Sequence, residues 1–449
     1  MSDALSKLRA VVPANVRAVC ETLEGAGHEA VTVGGAVRDA ILGREPGDWD
    51  VATSAPPEDV MKLFKHVIPT GLQHGTVTIV TGKGEASHVE VTTFRGEGAY
   101  TDARRPDHVT FGVPLVEDLA RRDLRVNAMA YDPAKDRLID PFEGQKDIAE
   151  KTLRAVGPTG NVYDDAVARF SEDGLRVMRA VRFAAVLEFA LDPETERGIE
   201  PALPSLAKVS KERVCDELRK MLETREPSRA LAIAQRTGIM ALILPELADG
   251  FEAWTAIEDA HHNIVNHWLE RTDAAPREAR LASLVAELAP AEAVKRLDRA
   301  VVKHASGVLR RLKFANDEIA VAAALVGTSG VSLAKDWTDP EVRRLLSDVG
   351  RVNAKTAAGF WRADKATALA DRADAILARG DALHPNELAL SGKDLMTALD
   401  MKPGPAIGRI LAMLLTRVLD EPARNTREEL LGLAKSAELS FARTDDVTD

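Results

Sequence analysis

Two short stretches, Gly34-Gly35-Ala36-Val37-Arg38-Asp39 and Gly47-Asp48-Trp49-Asp50, decide the fold expected for this chain of 449 residues. The apolar run Val31-Thr32-Val33 precedes them and predicts a short buried strand. The pattern of Ala36–Leu42 then predicts a helix, and Gly43 stands where a helix C-cap favours glycine. The start of the chain therefore predicts alternating strands and helices rather than a helical bundle.

The glycine pair sits between a predicted strand and a predicted helix. Without a Cβ, Gly34 and Gly35 let the backbone approach an anion, and a helix N-terminus offers N–H groups to phosphate. Arg38, one turn into the helix, could add a charged contact. Taken alone, such a pair is more often only a tight turn, so its meaning depends on the residues that follow.

The acidic pair that follows changes this balance. Asp48 and Asp50 are alternate residues of the next predicted strand, so both carboxylates should point the same way, with Trp49 and Val51 packing behind. Two carboxylates on one face suit Mg²⁺, and they repel each other unless a cation lies between them. A bare Asp-x-Asp could also be a solvated pair, but the upstream glycines favour a metal site. Glu90, on a neighbouring predicted strand, is a candidate third carboxylate.

A second group of polar residues follows at Arg121-Arg122-Asp123, with Asn127 four residues after the aspartate. Guanidinium groups can stabilise phosphate charge, and a carboxylate can accept a hydrogen bond from a ribose hydroxyl. The alternative is a cluster of ion pairs on a helix surface.

A third group lies in Ser171–Phe183, which predicts one helix capped by its first residue. At 100° per residue, Glu172, Arg176 and Arg179 fall on one stripe, with Asp173 at its edge. The common meaning of this spacing is a ladder of surface ion pairs.

The same residues could also read a base. Cytosine and adenine each present an amino donor beside a ring-nitrogen acceptor, which a carboxylate next to a guanidinium complements. Guanine and uracil present a carbonyl beside an N–H, which would leave buried polar groups unmatched at a cost of about 1–3 kcal/mol each. Asp173 and Arg176 could thus select C and A without a nucleic-acid template.

Together these groups resemble the bacterial-type tRNA nucleotidyltransferase and poly(A) polymerase family, whose motifs are GGxVRD, DxD, RRDxxxNAMA and EDxxR. The resemblance implies a polymerase-beta-like nucleotidyltransferase that adds C and A from CTP and ATP to the 3′ end of tRNA without a template and releases pyrophosphate. It implies that Asp48 and Asp50 are the catalytic, metal-binding residues and that Mg²⁺ is the cofactor. The nucleotide-binding residues it implies are Gly34, Gly35, Arg38, Arg121, Arg122, Asp123, Asn127, Glu172, Asp173, Arg176 and Arg179.

Other stretches bear on the activity within this family. Arg95–Val113 is polar and glycine-rich and predicts a mobile loop; its first part resembles the flexible loop needed for the final adenylate, which disfavours a C-only enzyme. Pro69–Val77 resembles the tRNA branch of the family, and Ser210–Leu218 resembles a motif that supports the base-reading helix. A poly(A) polymerase or A-adding enzyme is the alternative within the family, and a catalytically inactive RNA-binding protein is the alternative outside it.

Composition limits the remaining possibilities. The net charge of −11 argues against general coating of nucleic acid, although a basic run, Lys295–Lys313, could follow phosphates or be a solvated helix face. Cys20 and Cys215 are the only cysteines, which excludes a disulfide framework and a thiolate metal site. No run reaches membrane-spanning length, so we expect a cytoplasmic protein without a membrane association. The sequence gives no reason to infer an obligate protein partner.

We predict the α+β class, with a mixed head followed by helical domains. The predicted domains are a nucleotidyltransferase head at 1–155, a base-recognising neck at 156–230, a body at 231–330 and a tRNA-binding tail at 331–449. The body contains His261, His262 and His267, which suggest the metal hydrolase site of some relatives. The His-Asp pair expected after them is replaced by Ala282–Leu288, so we do not expect an active second metal site.

Overall fold

The computed structural model of the chain describes residues 2–84, 87–97, 109–247, 258–290 and 292–445. The chain divides into two compact units, Met1–Ile243 and Leu244–Asp449. All described strands lie in the first unit, and the second is helical, which confirms the predicted α+β class. The boundaries predicted at residues 155, 230 and 330 stay predictions.

The main sheet of the first unit is mixed. Its strands follow the order β3-β4-β5-β2-β1-β8-β9, and β2 pairs in parallel with β5 while the other neighbours are antiparallel. Two small sheets pair β6 with β7 and β10 with β11. The strands are β1 Ala30–Val33, β2 Asp50–Thr53, β3 Val67–Gly71, β4 Thr76–Val80, β5 His88–Thr93, β6 Arg95–Glu97, β7 Val109–Phe111, β8 Ala130–Asp132, β9 Arg137–Ile139, β10 Thr152–Leu153 and β11 Ala190–Leu191.

Helices of the first unit cover the sheet and then continue as a helical segment. They are α1 Ser2–Val11, α2 Ala14–Gly25, α3 Gly35–Leu42, α4 Pro57–Leu63, α5 Leu115–Ala120, α6 Gly144–Glu150, α7 Val162–Glu172, α8 Leu175–Leu187, α9 Pro193–Arg197, α10 Ile199–Leu206, α11 Lys211–Leu222, α12 Pro227–Arg236 and α13 Ile239–Ile243.

The second unit contains the remaining helices. They are α14 Glu258–Ala274, α15 Arg280–Val285, α16 Arg299–Arg311, α17 Asn316–Val326, α18 Asp339–Val349, α19 Ala354–Ala363, α20 Thr367–Arg379, α21 Gly392–Leu399, α22 Pro405–Asp420 and α23 Arg427–Asp445. None of the described helices combines the length and apolar character that a bilayer crossing requires.

The centre of the main sheet is buried on both faces. Every residue of β1 is buried, and Val31 and Val33 belong to one apolar cluster. Trp49 and Val51 belong to the cluster on the other side, as predicted from their alternation with the acidic pair. The residues that alternate with them, beginning with Asp50, therefore face away from that core.

The acidic pair is not carried by one strand, and this prediction was wrong. β2 begins at Asp50, so Asp48 lies in the exposed segment that precedes it. Pairing explains the boundary, because the first residue of β2 with a partner on β1 is Asp50, opposite Val33.

The predicted single helix at 171–183 was also wrong. Ser171 lies inside α7, which ends at Glu172, and α8 begins at Leu175. Between them the chain passes so close to α10 that a Cβ on Gly174 would lie 2.2 Å from the backbone nitrogen of Leu206. Only glycine fits this crossing, and the helix is interrupted there.

The predicted loop at 95–113 has ordered ends. β6 and β7 pair in an antiparallel ladder that joins Arg95 to Phe111. Residues 98–108 lie outside the described part of the chain, so the mobility predicted for them stays a prediction.

Candidate active site

A cavity of about 560 Å³ opens on the face of the main sheet that carries Asp50. Seven arginines and five acidic residues line it, so the groups around it suit a ligand rich in negative charge. The structure brings together these predicted residues: Gly34, Gly35, Arg38, Asp50, Arg121, Arg122, Asp123, Asn127, Asp173, Arg176 and Arg179. Asp48 and Glu172 are the two predicted residues that do not line it.

The glycine pair allows a side chain to approach the backbone closely, as its position between a strand and a helix predicted. Gly34 has a φ of 77° and precedes α3, whose first residue is Gly35. A Cβ on Gly34 would lie 2.9 Å from Nη1 of Arg122. The residue is therefore glycine for two reasons, a left-handed backbone and the close passage of a guanidinium group.

Asp50 and Glu90 are neighbours on the cavity face of the sheet. The parallel register of β2 and β5 aligns Val51 with Val91 in the core, so the residues that precede them turn together towards the cavity. Asp50 is exposed towards the cavity, but desolvation by its surroundings and, second, the negative charge of Glu90 raise its pKa to about 6 against the opposing effect of Arg122. Such a raised pKa indicates a carboxylate in need of a positive partner.

Asp48 lies apart from this cavity. Its side chain borders a separate cavity of about 750 Å³ that Lys7 and Arg44 also line. Its charge still contributes to the raised pKa of Asp50, so the two carboxylates are close enough to interact. Among the described residues, no three His, Cys, Asp or Glu side chains converge into a ready-made metal site.

Asp118 anchors both arginines of the second motif. Its buried carboxylate accepts hydrogen bonds from Nε of Arg121 at 3.0 Å and from Nη2 of Arg122 at 3.4 Å. Burial lowers the pKa of Arg122, and the charge of Asp118 opposes this effect. Within the described structure, the buried Nε of Arg122 has no hydrogen-bond partner, which marks it as a donor that an anion could satisfy.

Asp123 and Asn127 form a buried bridge between two pocket arginines. Oδ1 of Asp123 accepts from Nδ2 of Asn127 at 2.9 Å, and Oδ2 accepts from Nε of Arg179 at 2.7 Å. Asn127 in turn accepts a hydrogen bond from Arg38. Burial alone would raise the pKa of Asp123, but Arg179 and the hydrogen bonds outweigh it, so that the pKa lies well below its usual range.

The third motif forms ion pairs with two arginines, and the base-reading role predicted for Asp173 and Arg176 stays a prediction. Nη1 of Arg176 donates to Oε2 of Glu172 at 2.6 Å, and Nη2 of Arg213 donates to Oδ2 of Asp173 at 3.1 Å. The other oxygen of Asp173 accepts from the backbone nitrogen of Leu175 at 3.0 Å and so begins α8. Arg213 therefore supplies a guanidinium group that binds Asp173 directly.

Sequence reasoning missed the position of Arg213 in the cavity wall, since its motif was assigned only a supporting role. Arg95 and Asp118 also line the cavity and were given no role. Alternation along β5 pointed to Glu90, but nothing in the sequence places α11, which carries Arg213, beside Asp173, because that contact spans 40 residues.

In the second unit, His267 lies in an ion-pair network. Its Nε2 is 3.2 Å from Oδ1 of Asp364, which also accepts from Nη1 of Arg271 at 3.2 Å. Arg271 is buried and donates to Glu287 at 2.6 Å. A guanidinium group thus occupies the centre of this acidic cluster. The predicted absence of an active second metal site stays a prediction, and the side chains of His261 and His262 lie outside the described residues.

The basic run at 295–313 is partly neutralised. Lys295 binds Glu341 at 3.0 Å, Arg296 binds Asp348, and Arg311 binds Glu246 at 2.6 Å. Three cations remain exposed on one stripe of α16 at helical spacing: Arg299, Lys303 and Arg310.

Comparison with known protein families gives three matches along the chain. Residues 30–154 match the poly(A) polymerase head domain, and residues 188–251 match the RNA- and SrmB-binding site of polymerase A. Residues 297–434 match the second domain of tRNA nucleotidyltransferases. These matches cover both compact units of the structure.

Full-length relatives and solved structures agree with these matches. The chain is 34% identical to a CCA-adding enzyme of Lactococcus lactis over 92% of this chain and 94% of the relative. It is 37% identical to a CCA-adding enzyme of Geobacillus stearothermophilus, again over 92% of this chain and 94% of the relative. The crystal structure of the Bacillus stearothermophilus CCA-adding enzyme in complex with CTP superposes with a TM-score of 0.71 at 32% identity, covering 95% of this chain and 98% of that one. A Thermotoga maritima CCA-adding enzyme complexed with tRNA shares the fold, with a TM-score of 0.61 at 20% identity over 96% of this chain and 98% of that one.

Proposed function

This chain belongs to the tRNA nucleotidyltransferase and poly(A) polymerase family, and we infer that it is a CCA-adding enzyme. It transfers C and A nucleotides from CTP and ATP to the 3′ end of tRNA and releases pyrophosphate. One observation carries this function best: a single cavity joins the Asp50–Glu90 pair to phosphate-binding arginines and to the Asp173–Arg213 pair.

The enzyme uses a divalent metal ion, as nucleotidyltransferases of this family typically do, and we propose Mg²⁺. Asp50 and Asp48 would hold it, with Glu90 as a third carboxylate. The raised pKa of Asp50 supports this assignment. A bound cation would offset both the desolvation of its carboxylate and the repulsion by Glu90. When bound, such an ion activates the attacking hydroxyl and neutralises charge on the leaving pyrophosphate.

The arginines divide into two proposed roles. We propose that Arg121 and Arg122 bind phosphate oxygens together with the N-terminus of α3 at Gly35. Nε of Arg122 is a donor that no described residue satisfies, and Nη1 of the same side chain passes close to Gly34, which supports this role. Arg38 and Arg179 are linked through Asn127 and Asp123 and extend this positive wall towards α8. The order of these groups runs from the metal site to the base-recognition residues.

Base selection would take place at the start of α8. Asp173 supplies the acceptor that the amino groups of cytosine and adenine need, and Arg213 or Arg176 supplies the donor for the ring nitrogen. Glu172 holds Arg176 and, through 2.6 Å contacts, also Arg169. We therefore assign Glu172 to the orientation of Arg176.

The acceptor arm of tRNA would lie along the helical segments that follow the head. We propose a neck at 156–230, a body at 231–330 and a tail at 331–449, with the exposed stripe Arg299, Lys303 and Arg310 available to phosphates. A cytoplasmic location is proposed with this function.

Three tRNA transcripts test the function directly: one that lacks the CCA end, one ending in C and one ending in CC. We expect purified enzyme with Mg²⁺ to add C to the first two and A to the third, and to stop after the complete end. Addition of A to the third transcript alone, with no use of CTP, would instead identify an A-adding enzyme, and runs of A on all three transcripts would identify a poly(A) polymerase.

The same assay addresses the alternative from another class. A catalytically inactive RNA-binding protein would retain transcripts on a filter but release no pyrophosphate with any nucleotide. Removal of the metal by a chelator provides the negative control, and restoration with Mg²⁺, compared with Mn²⁺ and Ca²⁺, identifies the ion.

A further inference from the structure

Three guanidinium groups surround the ring of Phe183. The Cζ atoms of Arg182, Arg38 and Arg179 lie 4.3, 5.1 and 5.4 Å from the ring centroid. All three distances are within the range of cation–π attraction. The ring is 7% exposed and forms part of the wall of the active-site cavity.

Each of these arginines has a second, separate anchor. Arg38 holds Asp39 through two hydrogen bonds of 2.8 and 2.9 Å, and Arg179 holds Asp123. Arg182 donates to the buried Glu217 at 2.6 Å and does not line the cavity. Arg38 and Arg179 are thus the two that face both the ring and the cavity.

The ring of Phe183 connects two arginines that are also linked by a series of hydrogen bonds between the head and α8. Arg38 donates to Asn127, Asn127 donates to Asp123, and Asp123 accepts from Arg179. The negative face of an aromatic ring attracts cations that would otherwise repel one another. An aliphatic side chain of similar size could fill the space but could not supply this attraction.

We propose that Phe183 is a positioning residue for the nucleotide, because its ring holds Arg38 and Arg179 at the separation that the phosphates and ribose of CTP and ATP require. This inference rests on the proposed function. It concerns binding of every nucleotide substrate and not the choice between them, since neither arginine forms part of the Asp173–Arg213 pair.

Phe183→Leu and the matched control Phe189→Leu test the proposal. Phe189 is 5% exposed and lies just beyond the end of α8, so both changes remove a buried ring from the same region. We expect Phe183→Leu to raise KM for both CTP and ATP about five- to twentyfold, with kcat changed less than about threefold, because two of the three cation–π contacts that are lost hold arginines of the cavity. Phe189→Leu should lower the thermal midpoint similarly and leave both KM values within about twofold.

Fluorination of the ring gives a readout that a purely structural role would not move. Site-specific replacement of Phe183 by mono-, di- and trifluorophenylalanine keeps the side-chain shape and progressively weakens the negative face of the ring. KM should rise stepwise with fluorine number at position 183 and stay constant at position 189. This series also serves if Phe183→Leu does not fold.

Two results would overturn the proposal. One is a KM that does not change with the number of fluorine atoms at position 183, and the other is an equal rise in KM in the two leucine variants. Failure of the proposed function itself is recognised separately. In that case the unmodified enzyme adds neither C nor A to a truncated tRNA, before any variant is compared.

Discussion

Oδ2 of Asp173 accepts a hydrogen bond from Nη2 of Arg213 at 3.1 Å. Arg176, predicted from the sequence to read the base together with Asp173, donates to Glu172 on the preceding helix. The carboxylate and guanidinium that could match a base edge thus come from two different helices. Selectivity for C and A should depend on both arginines and most strongly on Asp173.

Replacing Asp173 by Asn should relax base selection. An amide can turn either its oxygen or its nitrogen towards the base, so it no longer rejects the carbonyl of uracil or guanine. We expect the preference for CTP over UTP, measured as a ratio of kcat/KM values, to fall about ten- to a hundredfold. Asp216→Asn, the same change at an exposed site of α11, should leave the ratio unchanged, and an unchanged ratio in Asp173→Asn would contradict this account.

Gly34→Ala should weaken nucleotide binding, and Gly43→Ala provides a close control. Both glycines have positive φ, but ψ is −136° at Gly34, a region nearly restricted to glycine, and 23° at Gly43, where the left-handed conformation costs an alanine about 1 kcal/mol. Only at Gly34 would the new Cβ also meet Arg122, whereas nothing lies within 4 Å at Gly43. We expect a larger loss of thermal stability for Gly34→Ala than for Gly43→Ala, and an increase of about tenfold or more in nucleotide KM for Gly34→Ala alone. Equal KM values would show that Arg122 moves aside without consequence.

Local sequence patterns predicted the parts of the site that depend on local geometry. Glycine at a strand–helix junction predicted that another group approaches the backbone closely at Gly34. Alternation with Trp49 and Val51 predicted that Asp50 lies on the face of the sheet opposite their core. The same alternation pointed to Glu90, because both strands share one buried face.

The parts that depend on tertiary packing were not predictable in this way. The helix breaks at Asp173, whose backbone is extended, and Gly174 then passes against α10. Arg213 reaches Asp173 because α11 packs beside α8. Periodicity within 171–183 cannot reveal either contact, since it favours an unbroken helix. Pairing of β2 with β1 likewise begins only at Asp50. This limit depends on β1 and not on the residues of the acidic pair.

The three carboxylates should differ in their importance. Asp50→Asn should lower incorporation more than about a hundredfold, since residues that merely support a metal ligand already contribute ten- to a hundredfold. Glu90→Gln should have a smaller effect if Glu90 mainly adds negative charge beside Asp50. tRNA retention on a filter should stay within about twofold of the unmodified enzyme in both variants, because phosphate contacts lie elsewhere.

Asp48→Asn decides whether the exposed carboxylate joins the site. We expect a loss as large as that of Asp50→Asn, which would mean that its segment turns towards the metal during the reaction. Asp59→Asn, an exposed carboxylate on α4 outside the cavity, is the control. Activity of Asp48→Asn close to that of this control would remove Asp48 from the metal site and leave Asp50 with Glu90.

Asp147, which binds Arg154 at 2.6 Å, should make the stability of the first unit depend on pH. Burial raises its pKa to about 6 despite the opposing effect of Arg154. Because the folded pKa lies above the unfolded value, the folded state holds the proton more tightly, and this contribution to stability is complete below about pH 4. It is lost as the pH rises to 6 and does not change above that. Thermal midpoints of the unmodified protein minus those of Asp147→Asn should therefore fall between pH 4 and 6.5 and then level off, while Asp216→Asn shows no such trend. A difference that grows with pH would mean that the ion pair with Arg154 outweighs burial and keeps Asp147 ionised.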